Sequence, residues 1–202
     1  MAVSNSLSTA LDIAVGGIQS TARLTQQIEL ARTLGSIDYM ATDEKGTSPS
    51  QVLKGVDRYL ETRKDVQLGQ LEYHGQRSVP RKYNPKLDKQ AELPWLIDGI
   101  KQEKHIWLNI GWYQGQGRGK YKRIGGHWVT LVGYEKWGSL KDGEGEYLIV
   151  NDPATRGGDK QEEIAVKQGR LNGRNGFQLI NQRSKPNDAD LAWIEGAIQL
   201  TL

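Results

Sequence analysis

From residue 105 onward the chain is written in short apolar runs separated by glycine-rich polar connectors, whereas its first sixty or so residues space their apolar side chains three and four apart. That change of period, from helical to extended, limits the folds open to the chain more than any other feature. In the helical part, Val3, Leu7, Leu11 and Val15 share one face that Gly16-Gly17 ends. A second helix is predicted over 21–33, with Leu24, Ile28 and Ala31 inward and Gly35 beyond its end. Thr47-Ser48-Pro49-Ser50 then supplies an N-cap and a first-turn proline for a helix through about Glu61, carried by Val52, Leu53, Val56, Tyr59 and Leu60. Residues 62–92 are charged and Gln-rich, broken by Pro80 and Pro85, with one short strand near 66–73, and Pro94 opens a short helix over 95–102. Strands are predicted at 105–113, 127–134, 146–151, 176–180 and 192–200. Helices first and strands afterwards imply an α+β class and a single domain, 1–202, made of a helical part (1–61), a variable excursion with a short helix (62–104) and an antiparallel sheet (105–202).

Composition excludes several functions. The 202 residues hold 27 basic and 24 acidic side chains, and a net charge of +3 is too weak a balance to imply nucleic acid as a partner. No apolar run approaches the roughly 20 residues that span a bilayer, and the basic and apolar regions of a signal peptide are absent, so the expectation is a soluble, unexported chain. There is no cysteine, which rules out disulfides, thiolate metal sites and a thiol nucleophile within these residues. The three histidines, His74, His105 and His127, lack metal-ligand spacing, and neither a metal nor a cofactor is expected. The loop 115–126, with Arg118, Lys120, Lys122 and Arg123, invites an anion-binding reading. It does not have the glycine and hydroxyl positions of a P-loop, and it precedes a strand, so it is read as a flap beside His127.

The chemistry-bearing stretch is Gly125-Gly126-His127-Trp128-Val129-Thr130-Leu131-Val132-Gly133-Tyr134, followed after a polar loop by Tyr147-Leu148-Ile149-Val150-Asn151-Asp152-Pro153-Ala154. A histidine opens one strand and an Asp-Pro closes the next. If the two form a hairpin, the start of the first lies beside the end of the second, and the Asp152 carboxylate reaches the His127 imidazole. Such a pair is the base and orienter of a nucleophile–base–orienter triad. The same residues also fit a structural histidine beside a turn and ordinary Asp-Pro turn chemistry, and Asn151 is a rival orienter. The residues alone lead no further than an acid–base pair.

These two segments resemble the catalytic hairpin of the bacterial papain-like cysteine peptidases related to the enzymes that cut double-glycine leaders from bacteriocins. Ala2, Val3, Asn5, Ser6 and Leu7 are similar to the residues that follow the nucleophile motif in that family, and Gly46-Thr47-Ser48-Pro49 and Ile194-Glu195-Gly196-Ala197-Ile198 resemble further segments. The resemblance implies a papain-like fold, N-terminal helices packed on a C-terminal antiparallel sheet with a peptide groove between them. It also implies a Cys–His–Asp triad with His127 as base and Asp152 as orienter. Gly126 and Trp128 flank His127 and are candidates to line the substrate groove, although on a strand the Trp128 side chain points to the face opposite His127 and core packing is the stronger reading for it. The cysteine and the oxyanion glutamine would fall before Met1. Ser4 and Ser6 lie beyond the nucleophile position and read as polar face residues. The implied function is a peptidase-like domain for peptide substrates, truncated or inactive in these residues. The alternative is a non-catalytic peptide- or protein-binding module, and a basic accessory protein gripping nucleic acid through 115–123 is a distant third.

Overall fold

The computed structural model describes residues 21–44, 46–84, 90–137, 145–154 and 161–202. The helix expected over residues 2–15 lies outside them. Three helices, α1 (Thr21–Gly35), α2 (Pro49–Glu61) and α3 (Leu93–Lys101), accompany seven strands: β1 (Gln70–Gly75), β2 (His105–Gly115), β3 (Tyr121–Trp137), β4 (Gly145–Asn151), β5 (Glu162–Leu171), β6 (Arg174–Ile180) and β7 (Leu191–Thr201). All strand pairings are antiparallel, in the order β1-β7-β2-β3-β4-β5-β6, and β6 returns to β7 through Gln178↔Trp193 and Leu179↔Ala192. Strands β2–β7 therefore close into a six-strand barrel, with β1 as one extra strand on β7.

This corrects the expectation of a papain-like α+β fold with helices packed on an open sheet, and with it the expectation of a cysteine-protease, hydrolase fold. The physical reason is the closure. A sheet that curls until its first and last strands pair buries one face against itself, so it needs no helical layer to cover that face. Ile106, Leu108 and Ile110 on β2 point inward with Val129, Leu148 and Val150, all fully buried. One end of the barrel is closed by α3, where Gly99 lies so close to Ile106 and Gln199 that a Cβ there would come within 2.9 Å of both side chains.

Outside the barrel, Tyr73, Trp107, Trp128, Ile198 and Leu200 form a second core with Leu34 and Met40 and with Val52, Leu53, Val56 and Leu60 of α2. The start of α2 is set as its sequence suggests. Ser48 accepts from the Gln51 amide at 3.3 Å, and the Gln51 side chain accepts from the Ser48 amide at 2.9 Å, a reciprocal capping box ahead of Pro49. Of the stripe expected to face inward on α1, Ile28 is 43% exposed and Ala31 is half-buried, while the Leu24 side chain lies outside the described residues; Leu30 and the fully buried Leu34 pack into the core. The expected 115–126 flap is also mostly strand, since β3 begins at Tyr121 and only a short turn remains.

Candidate functional site

Antiparallel register carries the chemistry to the end of the barrel away from α3. On β2, Ile106 faces Leu131 and Ile110 faces His127, so His127 stands about 13 Å further from the α3 plug than Leu131 does, at about 3.3 Å per residue. It shares the inward parity of Val129 and Leu131. On the neighbouring strand Leu131 faces Val150 and Thr130 faces Asn151, which places Asp152 just past the end of β4 at the level of Val129, diagonally across from His127 two residues along on the same face. The two side chains meet: His127 Nε2 lies 2.6 Å from Asp152 Oδ1, with the imidazole 5% and the carboxylate 1% exposed.

Around the pair is a shell that sequence reasoning did not name. Asp152 Oδ1 also accepts the Ala154 amide at 2.8 Å, and Oδ2 accepts the Ser184 hydroxyl at 2.5 Å. Ser184 Oγ accepts from the Gln182 amide nitrogen at 3.0 Å, and Gln182 Oε1 accepts from the Trp112 indole at 3.1 Å. The Trp112 ring stacks on His127 with centroids 5.5 Å apart and planes at 22°. An indole nitrogen can only donate, so the direction of every bond in this chain is fixed from Trp112 to Asp152. Asp152 is left as acceptor only. His127 Nε2 must then carry the hydrogen, and in the neutral imidazole the lone pair sits on Nδ1, which makes no hydrogen bond with the described residues. Burial alone would raise the Asp152 carboxyl, but the hydrogen bond and charge of His127, with the Ser184 and Ala154 bonds, outweigh it and hold the group below its ordinary 3.8.

A second carboxyl lies at the same end. Glu162 opens β5 opposite Val150, is 2% exposed, and accepts the Arg183 amide on Oε1 at 2.6 Å, while Oε2 is buried with no partner among the described residues. Burial, with the charge of Asp152 adding to it, raises Glu162 above 4.5. A carboxyl whose folded value is raised stabilises the fold below its unfolded value and loses that contribution as the pH rises through the folded one. Glu162→Gln keeps an acceptor for Arg183 and removes the charge. The variant is expected to match the parent in urea denaturation near pH 4 and to become more stable by about 1 kcal/mol as the pH rises to neutrality.

The other sequence candidates are placed as follows. Trp128 is turned to the outer core, 4% exposed, with its indole donating to Thr47 O at 2.9 Å, so it presents no wall to a ligand. Gly126 is exposed on the outer face, where the Arg123 guanidinium lies 2.2 Å from the position a Cβ would take. Asn151 pairs with Thr130 in the ladder and is not the residue bonded to His127. His74 is bonded to Glu72 at 2.7 Å and stacked on Trp95 at 3.8 Å, and burial lowers His105. Among the described residues no group of three or more His, Asp or Glu side chains is arranged to hold a metal. A cleft of about 220 Å³ lies elsewhere, between α2 and residues 80–83, where Asp57 already accepts from Lys82 and Tyr83.

No family model, curated protein or solved structure matches this chain. The peptidase resemblance therefore stands on the quoted segments alone, and no helix among the described residues is long and apolar enough to cross a membrane.

Proposed function

We propose that this chain is a peptidase-like domain for peptide substrates, with His127 as base and Asp152 as orienter but without a thiol nucleophile among its 202 residues, and therefore hydrolytically inactive by itself. The observation that carries this reading is the 2.6 Å His127–Asp152 bond, with Nδ1 left as the basic atom by the chain from Trp112. A base so oriented takes a proton from an attacking group once one is supplied.

The test supplies the missing nucleophile. A small thiol and an activated ester are mixed with the protein: His127 Nδ1 accepts the thiol proton as sulfur attacks the ester carbonyl, the ester C–O bond breaks to give a thioester, and the departing alkoxide or phenoxide takes the proton back from the imidazolium. The rate with the parent is expected to exceed that with His127→Ala by tenfold or more, toward the ~10²-fold lower range for a positioned general base. Equal rates would remove the acid–base reading. The near-complete burial of both side chains favours a second reading, a peptide-binding module in which the dyad only ties β3 to the end of β4. That reading predicts equal rates together with retention of peptide by both proteins.

A further inference from the structure

The acidic residues are distributed unevenly. No Asp or Glu occurs from 104 to 134 or from 164 to 187, although the protein has 24 of them, and these two segments hold ten of its 27 basic residues. They are far apart in sequence, and the fold joins them. The Tyr121 amide donates to Asn172 Oδ1 at 3.0 Å and Asn172 Nδ2 donates to Tyr121 O at 2.7 Å, clipping the β2–β3 turn to the β5–β6 turn. Beneath the clip, Leu171 packs with Tyr113, Leu191, Trp193 and Tyr121.

On this joined surface Arg118, Lys120, Lys122, Lys167, Arg170 and Arg174 are all exposed. Arg118, Lys120, Lys122 and Lys167 have no acidic partner among the described residues. Two further arginines are fixed at its margin. Glu195, 2% exposed, lies at the bulge where β6 and β1 diverge along β7, and it accepts from Arg123 Nε at 2.8 Å, from Arg77 at 3.0 Å and from the Tyr113 hydroxyl at 2.6 Å. One buried carboxylate holding two guanidinium groups leaves a net positive charge, with Arg123 36% and Arg77 41% exposed. The other acid in contact, Asp190, is engaged with the Gly115 amide at 2.6 Å. With the whole chain at only +3, so much uncompensated charge in one place leaves the remainder without a net positive excess.

We propose that the joined β2–β3 and β5–β6 turns dock an acidic polypeptide segment, on the overhang next to the barrel end that carries His127. This deepens the function proposed above and rests on it for the peptide character of the partner. Guanidinium groups held in place by Glu195 present a fork that carboxylates match. Single-stranded nucleic acid is disfavoured because two of the three aromatic rings here, Tyr113 and Trp193, are buried, and the half-buried Tyr121 is packed against them, which leaves no run of exposed rings for successive bases to stack on. A lipid surface is disfavoured because the large hydrophobics exposed among the described residues are Ile28 and Ile37, both on the α1 side.

The experiment measures fluorescence anisotropy of a labelled oligoglutamate peptide against the full chain, beside oligoglutamine, a single-stranded oligonucleotide of equal length and vesicles rich in anionic lipid. Oligoglutamate is expected to bind, oligoglutamine not to, and affinity to fall as salt is raised. The variant Lys120→Glu/Lys122→Glu/Arg174→Glu, all exposed positions, is expected to lose tenfold or more while unfolding at the parent's urea midpoint. Failure of oligoglutamate to bind, equal binding by the variant, or tighter binding of the oligonucleotide or the vesicles overturns the proposal. The thiol–ester assay separates the two ideas: it uses an uncharged substrate and stays at the parent rate in the triple variant, whereas His127→Ala leaves oligoglutamate affinity unchanged.

Discussion

Asp152→Ala is expected to destabilise the protein by about 3–5 kcal/mol, the range for removing one partner of a buried pair, read from the urea midpoint at neutral pH. The size follows from what is stranded. Three donors, on His127, Ala154 and Ser184, end on this one carboxylate, and each buried donor left without an acceptor costs about 1–3 kcal/mol. Asp152→Asn keeps the shape and one acceptor, so its loss should be smaller, yet its amide must point N–H at a group that already donates. The Asn variant thus separates stability from orientation: it is expected to fold and to lose most of the His127-dependent thiol–ester rate. The pH dependence has a defined sign. A carboxyl held below its unfolded value of 3.8 contributes its full stability above that value and loses it as the pH falls through the lower folded one. The gap between the parent and Asp152→Asn should therefore start to narrow as the pH falls below 3.8 and close only below the lower folded value, and a gap that did not narrow at all on acidification would mean that the carboxylate charge is not what Asp152 contributes.

Gly196→Ala should cost about 3 kcal/mol, at the upper end of overpacking penalties, although it adds a single methyl group. Gly196 faces Gly75 across the β1–β7 pairing, and the Tyr73 side chain lies over both. A Cβ at Gly196 would fall 2.4 Å from the Tyr73 hydroxyl oxygen and 2.7 Å from its ring carbons. Tyr73 is fully buried and its hydroxyl accepts the Arg77 amide at 3.2 Å, so the ring has nowhere to move. The strain falls where β7 exchanges β6 for β1 as its neighbour. Amide exchange should therefore rise first in β1, with the barrel amides of β3 and β4 still protected. Uniform loss of protection would place β1 inside the barrel's cooperative unit.

Parts of this were legible without coordinates. The capping box before α2, the strand character of β2, β4, β6 and β7, and the meeting of His127 with Asp152 all follow from local pattern and antiparallel geometry. What was missed has a common cause. Strand β5 places Glu162 at an inward position, and a charged residue where an apolar one is expected hides the alternation. Trp112, Gln182 and Ser184 reach the dyad from β2 and from the segment after β6, with separations of up to 70 residues between bonded partners, and none belongs to a recognisable motif. Local signals could not reveal them.

By itself the sequence determined the helical character of α1, α2 and α3, the extended character of most strands though not of β5 or the start of β3, that no thiol chemistry is available in these residues, and that an imidazole and a carboxylate stand at the facing ends of two successive strands. Those follow from side-chain period, composition and the geometry of an antiparallel pair, which act over a few residues. Only the tertiary structure decided that the sheet closes, through two residue pairs between β6 and β7, and that closure turns His127 into the interior of a barrel, at the end away from α3, instead of a groove beneath helices. The same closure brings the two acid-free turns together. Pairing between distant strands depends on the accumulated twist and the summed burial of the whole sheet, and no local stretch of residues encodes it.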